Sequence, residues 1–409
     1  MNIERTGAPG ALVVLGLALA ACTAEAPPTT GGTDIEPGPF GRGVFTVNQS
    51  DSYDSTNVSL VATDGQVLSE SFLSQGLSGD VTAPSMPVAG DRVVLLDRWY
   101  SLVRWVDVKT GTIAAELHAD ADELARNPWD YLPISPDKAY VTRYDRWPGH
   151  SDHGDLIVID PQTATVSTPV DKRIDIAPSL ALGGDFIVHP ARGVASGTTA
   201  YVVTVNATPT YEYTQSHLVA IDTATDEIAS VLPLTGLHDC NALALSPSGE
   251  ELAVACAGNL EANAALSQEN AGIVLVSLSP LAEKARFLAA DLGSGVPGFS
   301  LTYVTDTTLL ALLVGNSTAG IPDTALLLDT ATGTHRTVHT APAVQLGAVL
   351  CPARVDGNTT DTTPVACFAT DAEAARLLHF PVENADLGSP RAIEVDTLIG
   401  LPPRTLGQF

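Results

Sequence analysis

His217 to Leu234 reads HLVAIDTATDEIASVLPL. An apolar-leaning run climbs to Asp222, a small polar turn follows, and a second apolar-leaning run leaves it. Period-2 runs flanking a turn of Thr, Ala and Asp predict a β-hairpin. The same shape recurs at Leu102 to Leu117 (LVRWVDVKTGTIAAEL), Leu156 to Val170 (LIVIDPQTATVSTPV) and Ala325 to Val338 (ALLLDTATGTHRTV). Aligned on the residue that enters the turn, the series is Ala62, Asp107, Asp160, Asp222, Ser277, Asp329 and Pro381. An Asp at that place accepts hydrogen bonds from the N–H groups of the turn, which gives the residue type a local reason.

Upstream of most hairpins another pair of runs meets at a turn such as Ser135-Pro136-Asp137-Lys138 or Ser246-Pro247-Ser248-Gly249. The second of those runs ends on a short polar side chain: Asn48, Asp97, Asp145, Asn206, Asn259 or Asn316. Each unit therefore reads as four strands. Seven units of four short antiparallel strands, with almost no helical periodicity, predict an all-β chain folded as a seven-bladed β-propeller. A ring of six or eight blades, or a pair of β-sandwiches, is the alternative count. The first unit begins at its second strand, Gly43 to Gln49, and Thr397 to Phe409 is left over after the last unit. Pairing that C-terminal segment with the first blade closes the ring and removes an exposed sheet edge.

A SPxG turn, a strand ending in Asn, an apolar strand ending in Ile-Asp and a Thr-x-Thr turn together resemble the YncE-type propellers. Those are relatives of the lactonase and quinoprotein amine dehydrogenase propellers. The resemblance covers residues 43 to 409 and departs from the pattern in units one, five and seven, where the Ile-Asp is missing. It implies the fold and leaves activity open, because the propeller hosts many unrelated functions. One expectation it brings is a metal-dependent, lactonase-like hydrolase. Such an enzyme would use one divalent cation, calcium first, at the channel mouth, with ligands drawn from different blades.

The amino terminus reads as an address. Ala11 to Ala21 form an apolar-to-small run too short to span a bilayer, which needs roughly 20 residues. With Arg5 before it and Leu19-Ala20-Ala21-Cys22 after it, residues 1–21 predict an export signal. Leu-Ala-Ala-Cys resembles the lipobox of bacterial lipoproteins, which implies that Cys22 becomes the first mature residue and carries the lipid. Thr23, where an Asp is absent, then implies the outer membrane, with the domain facing the periplasm or the cell surface. Residues 22–42 are rich in Pro, Gly and Thr and predict a flexible tether; residues 43–409 are the propeller.

Among 409 residues, 45% are hydrophobic, so the chain can bury a large core. Asp plus Glu number 47 against 20 Lys plus Arg, a net charge of −27. A surface this acidic repels phosphate backbones and argues against a nucleic-acid partner. Cys240, Cys256, Cys351 and Cys367 permit three pairings. Equal spacing favours 240–256 and 351–367, each expected to join the start of a first strand to the end of a second, and export favours disulfides over metal binding.

Candidate sites follow from residue type. Asp97-Arg98-Trp99 and Asp145-Arg146-Trp147 occupy the same place in adjacent units, with Tyr100, Trp105, Trp129, Tyr131 and Tyr144 expected to add aromatic surface. Arg, Trp and Tyr dominate binding hot spots, so Arg98, Trp99, Tyr100, Arg146 and Trp147 form a candidate patch for an envelope protein or glycan. Packing between blades is the other reading of the same rings. His150, Asp152, His153 and Asp155 fall within six residues and suit a metal ion chemically, but a solvated turn, which Gly149 and Gly154 suit, is the leading reading. Asp51, Asp54 and Asn57, and Asp356 to Asp361, are oxygen-rich but lack EF-hand spacing. Gly293, Gly295 and Gly298 match GxGxxG, yet an apolar strand follows where a nucleotide fold needs a helix. No catalytic signature is present, so no catalytic residue is assigned and a binding or scaffold role leads.

Overall fold

The computed structural model describes residues 43–88, 91–120, 125–146, 154–170, 172–259, 267–341, 346–352 and 364–409; of Ala125, Arg126, Arg146 and Ser267 it describes the backbone alone. Blade four shows how the sequence builds each unit. Its strands are Ile187–Ser196, Thr199–Ala207, Tyr213–Asp222 and Glu227–His238, each antiparallel to the next. The two middle strands are largely buried on both sides, whereas the last is mostly exposed or half-buried. Such two-sided burial explains why the middle strands read as continuous apolar runs. Val202, Val219 and Ile221 pack toward Leu132, Tyr140 and Leu156 of blade three. Val203, Val205 and Leu218, pointing the opposite way, pack toward Leu243, Leu252 and Val254 of blade five. Period-2 alternation thus joins each blade to both neighbours, and each such aliphatic side chain contributes about 1.5–3 kcal/mol of burial.

Seven sheets of this kind form the propeller, with two single-turn helices, Ala177–Leu180 and Ala289–Leu292, in the connections. Blade one borrows its innermost strand, Pro403–Gln408, from the C-terminus; it pairs with Val44–Gln49 in the register Val44↔Gln408 and Val47↔Thr405. Gly407 is required there, since a Cβ would lie 2.2 Å from the Phe45 ring. Connectivity sorts the loops onto two faces. Turns between first and second strands and between third and fourth strands share one face, here the turn face. Loops between second and third strands, and the links between blades, share the other, the loop face.

The repeated Asp performs the predicted task on the turn face. Asp107 Oδ1 accepts from the N–H groups of Lys109 and Thr110, both at 2.9 Å, and Asp329 Oδ1 accepts from Ala331 and Thr332 at the same distances. In blade one, where Ala62 holds the aligned place, Asp64 accepts from Gln66 instead. Blade seven departs from expectation. Pro381 lies inside the strand Arg376–Glu383, and the chain turns after it at Asn384 and Ala385, both with positive φ.

Both expected disulfides are present, Cys240–Cys256 and Cys351–Cys367. Their placement is not the common one expected. Cys240 opens the first strand of blade five, opposite Cys256 and close to the loop face. Cys351 follows the first strand of blade seven and Cys367 begins its second, so this bridge closes the turn end of its hairpin. GlySerGly at 293–295 is a link between blades that leads into the strand Val296–Thr305. Among the described residues no helix is long and apolar enough to cross a membrane.

Candidate functional site at the channel mouth

The seven innermost strands surround a cavity of about 430 Å3. What points into it is decided by bulges. In six blades the innermost strand carries extra residues opposite its partner: Trp129, Arg192, Asn241, Phe299, Gly347 and Arg404 all sit at such register shifts. A bulge bends the strand and re-aims a side chain. Trp129, Arg192, Phe299, Gly347 and Arg404 line the cavity. Blade two contributes differently, with a two-residue strand, Val81–Thr82, followed by lining residues Ala83, Pro84 and Ser85.

Arg98 reaches the same space from the loop after the second strand of blade two. Buried Asp97 anchors that loop by accepting from the N–H groups of Ser78 (3.0 Å) and Tyr100 (3.1 Å) and pairing with Arg104. Arg98 Nε donates to Asp80 at 2.9 Å, and its guanidinium lies 4.7 Å from the Trp129 ring centroid. Trp129 stacks on Tyr144 at 4.4 Å, and Tyr144 stacks on His189 at 4.6 Å. A cation and three flat rings therefore form one ladder across blades two, three and four.

Asp239 lies at the far end of that ladder, in the link between blades four and five. Burial pushes its carboxyl up to about 7, although a hydrogen bond from Asn241 Nδ2 and the nearby His189 pull the other way. Tyr144 is pushed well above its usual value, first by burial and then by the charge of Asp239. Burial also raises Asp145, but hydrogen bonds from His189 and Asn127 outweigh it and hold the carboxyl low. Two carboxyls near one imidazole are thus driven in opposite directions, a pattern found at functional sites.

Trp99 and Tyr100 stand on the Arg98 loop, 77% and 52% exposed. They are not packed between blades. Trp105 and Tyr131, expected as aromatic surface, are instead fully buried and meet edge to face at 5.9 Å. Asp155 is fully buried, with its oxygens taken by Arg143 Nε at 2.7 Å, by Arg143 Nη2 at 2.8 Å and by Arg173. Trp147, His150, Asp152, His153, Cys22 and Asp356 to Asp361 lie outside the described residues, as does the side chain of Arg146. Asp51, Asp54 and Asn57 do not converge: Asp51 pairs with Arg404, Asp54 accepts from Ser50, and buried Asn57 faces Asn48 and Asp396. Among the described residues no group of three or more His, Cys, Asp or Glu could hold a metal ion.

The cavity and His189 were missed in the sequence. A usable signal was present in the prolines. Pro128, Pro190 and Pro297 each interrupt an innermost strand immediately before its bulge, and Pro403 opens another immediately before its own. Proline inside an apolar strand marks an edge or a bulge.

Fold and site together define a seven-bladed propeller with a channel rimmed by arginine and aromatic side chains. No protein-family model matches the chain, and no curated protein matches its sequence. Solved propellers do. The periplasmic gluconolactonase of Pseudomonas aeruginosa is 12% identical with a TM-score of 0.59, over 89% of this chain and 98% of that one. A hypothetical selenium-binding protein from Sulfolobus tokodaii is 9% identical with a TM-score of 0.57, over 93% and 96%. Hydrazine synthase of Kuenenia stuttgartiensis is 14% identical with a TM-score of 0.50, over 74% and 77%. Likeness at these identities shows the fold alone, and the three names illustrate how many tasks the fold accepts.

Proposed function

We propose that the chain is an envelope binding module, carried on a lipid at Cys22, whose loop face captures a protein or glycan partner. One observation carries this reading. Trp99 and Tyr100 project into solvent from a loop pinned by buried Asp97, beside Arg98 held over Trp129. Exposed large rings on a rigid mount supply contact area at low entropic cost. Other exposed large apolar side chains reinforce it. Tyr53, Tyr211, Leu288, Leu398 and Ile399 lie on loop-face segments and Phe299 lines the channel, while among the described residues only Val166 lies toward the turn face.

The test is capture from crosslinked envelopes with purified wild type and with Trp99→Ala/Tyr100→Ala. Capture is expected to weaken about thirtyfold, the equivalent of ~2 kcal/mol at a hot spot. Stability should change by less than about 0.5 kcal/mol, as for exposed side chains. Undiminished capture by the double variant would sink the proposal.

A metal-dependent hydrolase at the channel mouth is the rival reading, favoured by the shared fold of the gluconolactonase. Metal analysis after dialysis against a chelator separates the two: a stoichiometric, tightly held ion supports the hydrolase.

A further inference from the structure

We propose that the channel mouth binds a small organic oxyanion, gripped between Arg98 and Arg192 against the face of Trp129. The charge of the cavity wall is the first ground. In a chain of 47 acids and 20 bases, the charged side chains lining the described cavity are Arg98, Arg192 and Arg404, with no Asp or Glu among them. Their carboxylate partners are not among the lining residues: Asp80, 27% exposed, pairs with Arg98, fully buried Asp130 with Arg192, and Asp51, 81% exposed, with Arg404.

Arg192 is built in rather than incidental. It occupies the bulge after Pro190, and its Nη1 donates to Ala83 O at 2.7 Å while Nη2 donates to Thr82 Oγ1 at 3.2 Å. Asp130, which receives a 3.5 Å contact from Nη1, is itself locked by the N–H groups of Ser85 and Gly193, both at 2.8 Å. A guanidinium has five N–H donors in a planar fork. Three contacts are used on Arg192, and on Arg98 two, both to Asp80 Oδ1. Each fork keeps donors for another acceptor.

The two cations also feel one another. Burial pulls Arg192 below its usual value, Asp130 opposes that, and the charge of Arg98 adds to the lowering. An anion between them would replace repulsion with two charge-assisted hydrogen bonds, the strong class for carboxylate and phosphate. Trp129 and Phe299 supply apolar wall for the body of the ligand. A cavity of about 430 Å3 is in the range of small-molecule sites. Carboxylate and phosphate share the recognising chemistry, so the probes must tell them apart.

The experiment is titration calorimetry on the purified protein in ~0.15 M salt, where exposed charges are largely screened. Probes are sodium benzoate, sodium gluconate and sodium phosphate, with benzyl alcohol as the uncharged control. Saturable binding of at least one anion, none of benzyl alcohol, and affinity at least about tenfold weaker in Arg98→Gln and Arg192→Gln is the expected result. Benzoate or gluconate binding identifies a carboxylate site, and phosphate binding alone identifies a phosphate site. Arg98 lies on a loop at the mouth, so its variant decides the matter if Arg192→Gln fails to fold. No saturable heat with any anion, or unchanged affinity in Arg98→Gln, overturns the proposal. No envelope partner is present in the measurement, so its outcome is independent of capture by the loop face.

Discussion

The two faces of the propeller are held by different physics. On the turn face, Asp107, Asp160, Asp222 and Asp329 each accept hydrogen bonds from groups two or three residues on. These are local, solvated and repeated. On the loop face, support is buried: Asp155 with Arg143 and Arg173, Asp97 with Arg104, and Asp239 capped by Asn241. These three supports each use a different set of residues. A turn can be repaired by water when its side chain is lost, whereas a buried charge without its partner has nothing to replace it. The uniform face can therefore keep its sequence pattern, and the variable face is where side chains differ enough to recognise something.

The contrast is broken most severely at Asp155. Asp155→Ala removes the carboxylate that pairs with the fully buried Arg143 guanidinium and with Arg173. A loss of about 3–5 kcal/mol in urea unfolding is expected. A cost under 1 kcal/mol would show that water reaches the pair and that the two faces differ less than their burial implies.

A pH series sharpens it at Asp239. The folded carboxyl is raised from 3.8 to about 7, so the folded state holds a proton that the unfolded chain releases. Stability should then fall as pH rises from about 4 through 7 and level off above it. At ~1.4 kcal/mol per unit the whole effect is on the order of 4 kcal/mol. Asp239→Asn, which suits the positive φ at this position, should remove that slope and stabilise the protein at pH 8 while changing little at pH 4. A wild-type stability curve that stays flat from pH 4 to 8 would count against it.

The smallest effect belongs to the turn face. Asp329→Ala deletes two hydrogen bonds to N–H groups that water can also satisfy. A cost of about 1 kcal/mol is expected, with no change in partner capture. A loss as large as that of Asp155→Ala would erase the distinction.

Those same differences explain what the sequence made legible. The Asp turns and the strand-ending Asn or Asp act within one blade, so they recur and can be aligned; Asn48 meets Asn57 and Ser59, and Asn206 meets Gln215 and His217, across neighbouring strands. Blade seven was misframed because Pro381 imitates a turn residue while lying in a strand. The bridge Cys351–Cys367 has the spacing of Cys240–Cys256 but the opposite end of its hairpin, and spacing alone does not distinguish the two. Trp105 and Tyr131 look like Trp99 and Tyr100 in composition, but strand position buries the first pair and a loop exposes the second. The cavity gathers contributions from all seven blades, so no local window contains it.

Ring closure has a mechanical consequence. The domain's first strand, Val44–Gln49, is laddered on one side to Thr56–Val61 and on the other to Pro403–Gln408. Gly43, at the start of that strand, lies on the turn face, where the Phe409 N–H donates to Gly43 O. Tension applied between Gly43 and the loop face would run along the strand axis. Both ladders would have to shear at once, because neither could be unzipped bond by bond. A propeller held this way bears load at the place where its chain is joined to itself.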